Sequence, residues 1–98
     1  MDSKLKGLIG LCRKSGNLLC GATAVESGIK SKKCYLVLIA EDSGDSIRRK
    51  IEGLCITSGT KYKILYNKEW LGSAAGLEGK AVIAVKSKDF ADGILKLI

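Results

Sequence analysis

Tyr35-Leu36-Val37-Leu38-Ile39-Ala40-Glu41-Asp42 decides how this chain folds. Six of these eight residues are apolar or aromatic, and no carboxylate or amide interrupts them before Glu41. A strand with one wet face alternates apolar and polar residues. An unbroken run is instead buried on both faces, at the centre of a sheet covered by helices. Two carboxylates close the run, and helix-start chemistry follows in Asp42-Ser43-Gly44-Asp45-Ser46. Glu41 and Asp42 read as the negative cap of that next helix. An acidic, exposed loop is thus expected at the carboxyl end of a central strand, where ligand sites collect in open α/β sheets.

On both sides of this strand the apolar spacing switches between helical and extended. Leu5, Leu8, Ile9 and Cys12 recur at i, i+3, i+4 and i+7, which predicts a first helix capped by Ser3 and stopped by Gly16. Asn17-Leu18-Leu19-Cys20 predicts a short strand. Gly21 then opens a second helix with Ala22, Val25 and Ile29 inward; Gly28 weakens it, and it frays into Ser31-Lys32-Lys33. Downstream, Ile47, Ile51, Leu54 and Cys55 form the core stripe of a third helix that ends at Gly59. Tyr62-Lys63-Ile64-Leu65-Tyr66 predicts a strand, and Asn67 caps a short helix over residues 68–74 in which Trp70 is read as core. A glycine-flanked loop, Ala75-Gly76-Leu77-Glu78-Gly79, leads to the strand Ala81-Val82-Ile83-Ala84-Val85, and Asp89 caps a last helix ending at Leu97. This alternation predicts the α/β class, one sheet between two helix layers, in a single domain of residues 1–98.

Composition narrows the function. Seventeen Lys and Arg against ten Asp and Glu give a net charge of +7. The surplus is five within residues 1–50 and two within 51–98, and it gathers at Arg13-Lys14, Lys30-Ser31-Lys32-Lys33 and Arg48-Arg49-Lys50. Such clusters favour polyanions, because neutralising phosphates releases counterions. No apolar run approaches the ~20 residues needed to cross a bilayer. Met1-Asp2-Ser3-Lys4 leads into an amphipathic pattern and not an apolar block, so a cytoplasmic location is expected.

Catalytic motifs are scarce. There is no histidine, the commonest general base, and no GxSxG, Walker A or GxGxxG sequence. Cys12, Cys20, Cys34 and Cys55 contain no CxxC pair, so they are read as four small buried hydrophobes in a reducing compartment. No enzyme activity, metal, cofactor or small-molecule substrate is expected.

Two blocks carry a family resemblance: Leu36-Val37-Leu38-Ile39-Ala40-Glu41-Asp42, and Leu71-Gly72-Ser73-Ala74-Ala75-Gly76-Leu77-Glu78. With the Gly21 helix between the first helix and the buried strand, they resemble the ribosomal protein L7Ae superfamily, which includes the L30e proteins. The resemblance runs from about Leu5 to Val85 and is nearest to the small bacterial L7Ae-like proteins outside the standard ribosome set. It implies a three-layer α/β/α sandwich with a single central mixed sheet of about four strands. It also implies binding of structured RNA, ribosomal or another kink-turn-containing RNA. RNA would meet the start of the second helix at Gly21, Ala22, Thr23, Ala24 and Ser27, the loop at Glu41, and the loop Leu77-Glu78-Gly79-Lys80. A helix N-terminus offers free N–H groups and positive dipole to phosphates or base edges, and an aliphatic tip such as Leu77 packs on an extruded base.

One departure stands out. Kink-turn binders of the family follow the glycine with a small polar residue, then Asn-Glu, and place a Lys three positions after the Glu; these read sheared G·A pairs. Here Thr23, Ala24 and Ser27 occupy the Asn, Glu and Lys positions, and Leu19 and Cys20 precede the glycine where basic residues often stand. Each lost bidentate base contact removes ~1–3 kcal/mol of discrimination. Lys30, Lys32 and Lys33 would supply backbone affinity without reading sequence. The rival reading is a protein-interaction adaptor on the same fold that has lost specific RNA recognition, motivated by that departure, by Trp70 and by the apolar pair Leu18-Leu19.

Overall fold

The structure, a computed structural model, describes residues 2–76 and 80–98. The elements follow in the order α1 (Asp2–Lys14), β1 (Leu18–Cys20), α2 (Ala22–Lys30), β2 (Leu36–Ile39), α3 (Asp45–Ser58), β3 (Lys61–Ile64), α4 (Lys68–Ala75), β4 (Val82–Val85) and α5 (Lys88–Leu95). The four strands form one mixed sheet in the order β1-β4-β2-β3, with β4 antiparallel to both β1 and β2, and β3 parallel to β2.

The two central strands are the two apolar runs, and every residue of β2 and β4 is buried. The strand period of two sorts their side chains between two cores. Leu36, Leu38, Ile83 and Val85 pack with Leu5, Ile9 and Cys12 of α1, Leu71 of α4 and Ile94 of α5. Val37, Ile39, Val82 and Ala84 pack with Val25 and Ile29 of α2 and Ile51 and Cys55 of α3. Three helices therefore cover one face and two the other, the three-layer α/β/α sandwich. Each large side chain enclosed this way contributes about 1.5–3 kcal/mol relative to exposure. The doubly buried run starts at Leu36, because Tyr35 is 50% exposed.

Several local expectations change. Helix α1 already includes Ser3 in its first turn, so Ser3 is not its cap. Ile47 is 38% exposed and belongs to neither core, and the inward stripe of α3 is carried by Ile51 and Cys55 with Leu54 packed beside them. Ser87, not Asp89, caps α5, its Oγ accepting the Phe90 N–H at 3.4 Å; Asp89 lies in the first turn. Helix α3 starts at Asp45 without a side-chain cap. Asp42 caps a different helix: its Oδ1 accepts the backbone N–H of Lys68 at 2.8 Å, beside the Asn67 cap that accepts from Trp70. Trp70 is only partly buried; it stacks on Tyr66 with centroids 4.0 Å apart, and the Lys6 ammonium lies 5.4 Å from its ring centre.

Gly28 is a packing residue. A Cβ there would collide with Leu19 Cδ1 and stand 2.7 Å from Cys34 Sγ. Its lack of a side chain lets α2 approach β1 and the entry to β2, which outweighs its low helix propensity. Helix α2 ends cleanly, with the N–H groups of Lys32 and Lys33 returning to the carbonyls of Ile29 and Gly28.

Candidate nucleic-acid interface

One edge of the sheet gathers most of the sequence-identified residues. Strand β1 ends there at Cys20, β2 at Ile39, β3 at Ile64, and β4 begins there at Val82. Backbone bonds continue past the strands: Gly21 N donates to Val82 O at 2.9 Å, Ala40 N to Ala81 O at 2.7 Å, and Glu41 N to Tyr66 O at 2.8 Å. The start of α2, the Glu41 loop and Lys80 thus share one rim. Gly21 and Glu41 sit two strands apart, about 10 Å at the usual strand spacing.

Gly21 makes the α2 start possible. Its φ of 91° and ψ of 154° lie where side-chain-bearing residues are essentially excluded. The first intrahelical bond runs from Val25 N to Gly21 O at 3.0 Å, so the N–H groups of Ala22, Thr23 and Ala24 lie ahead of the helical ladder. No side chain caps them, and the first turn holds no acidic residue. Thr23 and Ser27 are exposed one turn apart, while Ala22 and Ala24 are partly covered. This end of α2 keeps its unneutralised positive dipole toward solvent.

Two cations add to it. The Lys80 side chain lies over Gly21, its Nζ 3.6 Å from where a Cβ would stand. The Arg13 guanidinium lies against Gly76, 2.9 Å from the corresponding point there. Both charges act on the Cys20 thiol: burial pushes that thiol up, and Arg13 and Lys80 pull against it. Gly76 and Lys80 bracket Leu77-Glu78-Gly79, which the family resemblance points to as RNA contacts and which lie outside the described residues. Arg13 was visible in the sequence only as half of a charge cluster at a helix end. Its place at this rim depends on the fold bringing α1 against α4.

Glu41 is exposed on the same rim. The neighbouring Asp42 is occupied by Lys68 N, and among the described residues no group of three or more His, Cys, Asp or Glu could hold a metal ion. Lys30, Lys32 and Lys33 lie elsewhere. The crossover β1-α2-β2 joins two strands of the same direction, so α2 carries the chain from one sheet edge to the other. Its last turn and the 31–34 turn stand at the entry to β2. Lys30 is also partly neutralised, since Glu26 accepts from Lys30 Nζ at 3.0 Å and from Lys50 Nζ at 3.1 Å. Those two lysines hold the Glu26 carboxyl below its ordinary range.

Residues 3–94 match the Ribosomal protein L7Ae/L30e/S12e/Gadd45 family. The chain belongs to that family. It is 28% identical over 91 residues to the RNA-binding protein YlxQ of Bacillus subtilis, covering 93% of this chain and 91% of that one. Among solved structures it is similar to a Bacillus halodurans protein described as of unknown function, at TM-score 0.90 and 28% identity, over 96% of this chain and 95% of the other. A 15.5 kD RNA binding protein of Giardia lamblia shares the fold at TM-score 0.78 and 21% identity, over 95% and 80% of the two chains. No helix among the described residues is long and apolar enough to cross a membrane.

Proposed function

We propose that this family member is a non-catalytic binder of structured RNA, and that the RNA docks on the rim formed by the α2 N-terminus, the Glu41 loop and the segment ending at Lys80. The observation that carries the reading is the uncapped, acid-free start of α2 with Lys80 lying over Gly21. Family membership and the likeness to an RNA-binding relative support the class of ligand. Free amides, a helix dipole and two cations together match a phosphate or an unpaired base edge.

Kink-turn and ribosomal RNA are the candidate targets. Thr23, Ala24 and Ser27 lack the long polar reach that reads tandem G·A pairs, so recognition here rests on backbone shape and phosphate contact more than on base readout. The test is titration of a kink-turn RNA and its G·A-disrupted mutant across a salt series. A preference under tenfold with a steep salt dependence is the expected result. Absence of binding to either RNA at low salt would overturn the reading and favour the adaptor alternative.

A further inference from the structure

At the sheet edge opposite the α2 N-terminus lies a concavity of about 310 Å³, shared by the α2–β2 turn, the α3–β3 turn and α5. Lys32, Lys61 and Lys88 line it with Thr60, Tyr35 and one acid, Asp92. Among the described residues none of these lysines has a carboxylate within ion-pair distance, Asp92 included. Their positive charge therefore meets solvent in a recess and not on a neutralised face. Tyr35 is the aromatic of the site. Half of it is exposed, yet its backbone is pinned by the bond from its N–H to Val85 O at 2.8 Å. The end of the doubly buried strand thus fixes the backbone from which this half-exposed ring projects.

Lys32 adds a second, independent feature. It occupies the position after the α2 C-cap at φ 58°, in the left-handed region, where glycine is the usual residue. The backbone there would be eased by glycine, and the lysine places a cation at the mouth of the recess.

We propose that this recess is a second binding site, for single-stranded RNA: an unpaired base stacks on Tyr35 and its flanking phosphates are held by Lys32, Lys61 and Lys88. Stacking plus an electrostatic groove is the combination that binds single strands without sequence preference. The strand length from Tyr35 to Glu41 puts this site about 20 Å from the first rim, so one protein holds two RNA segments at once. The choice of RNA as the nucleic acid rests on the proposed function; the site itself rests on the geometry of the recess.

The test is fluorescence anisotropy with labelled hexauridylate at fixed salt. Tyr35→Ala weakens binding about tenfold while Tyr35→Phe retains it, as expected for a stacked base. Lys32→Gly weakens binding severalfold without lowering the melting temperature. The Tyr35→Ala and Lys32→Gly effects persist in a Thr23→Glu background, where the first rim is closed to the oligonucleotide. The proposal fails if Tyr35→Ala has no effect, if Thr23→Glu removes the binding, or if a hexaglutamate peptide binds as well as the oligonucleotide. Loss of structured-RNA binding in the unaltered protein, with Tyr35-dependent hexauridylate binding retained, would overturn the proposed function and leave this site standing.

Discussion

The Lys80 side chain lies over Gly21, its ammonium 3.6 Å from the point a Cβ would occupy and its Cδ 3.8 Å away. A cation is thereby stationed at the positive end of α2, a placement that costs energy in the free protein. An anion bound there relieves the cost twice, by pairing the lysine and by meeting the dipole. Lys80→Ala is therefore expected to keep the melting temperature or raise it slightly. The same change reduces the slope of log affinity against log salt by about 1, as one lost phosphate contact requires. Parallel thermal melts and salt-series titrations check both halves.

Gly28→Ala inverts the usual rule for a helical glycine. Propensity alone favours alanine by about 1 kcal/mol. The new Cβ would instead meet Leu19 Cδ1 and Cys34 Sγ, and overpacking of this kind costs about 1–3 kcal/mol. Net destabilisation in a urea melt is the expected outcome, with partial recovery in Gly28→Ala combined with Leu19→Ala.

Asp42 ties the loop after β2 to the start of α4 through Lys68 N. Asp42→Ala removes that acceptor and is expected to cost about 1 kcal/mol, while Asp42→Asn, which keeps an acceptor oxygen, costs a few tenths. Equal losses for the two substitutions in chemical denaturation would show that charge, not the hydrogen bond, matters there.

The thiols of Cys12 and Cys55 are pushed up to about 11, chiefly by burial, with Cys20 and Cys34 respectively adding repulsion. A thiol whose folded pKa exceeds its unfolded value favours the fold fully below the unfolded pKa, and that contribution is lost as pH rises through the folded one. Stability is thus expected to be unaffected by these groups at pH 7 and to fall between about pH 9 and 11. Alkylation with iodoacetamide at pH 8, read by mass spectrometry, should leave both native thiols unmodified under conditions that label the unfolded chain.

The sheet was legible where burial dictates composition. Strands β2 and β4 carry unbroken apolar runs because both of their faces are covered, and no other element needs such a run. Helix ends were legible where the cap is local, as at Asn67 and Gly59. What escaped the sequence depends on neighbours distant along the chain. Asp42 looked like the cap of the helix that follows it but serves α4, 26 residues later. Gly28 reads as a weak point in the sequence because its partners, Leu19 in β1 and Cys34 in the turn before β2, lie outside its own helix. The basic run at 30–33 follows Gly21 by only one helix in the sequence, yet the crossover helix α2 carries the chain from one edge of the sheet to the other and leaves that run at the far edge. Arg13 reaches the rim only because α1 packs on α4.

Thr23→Glu tests the central claim most directly. Thr23 is exposed in the first turn of α2, and a carboxylate there meets the helix dipole favourably, by about 0.3–1 kcal/mol, against a few tenths of repulsion from Glu26. Folding is therefore preserved while negative charge enters the proposed RNA contact. The account predicts an unchanged or slightly raised melting temperature and at least a tenfold loss of affinity for structured RNA. Undiminished affinity in the folded Thr23→Glu protein would contradict it and remove the α2 N-terminus from the interface.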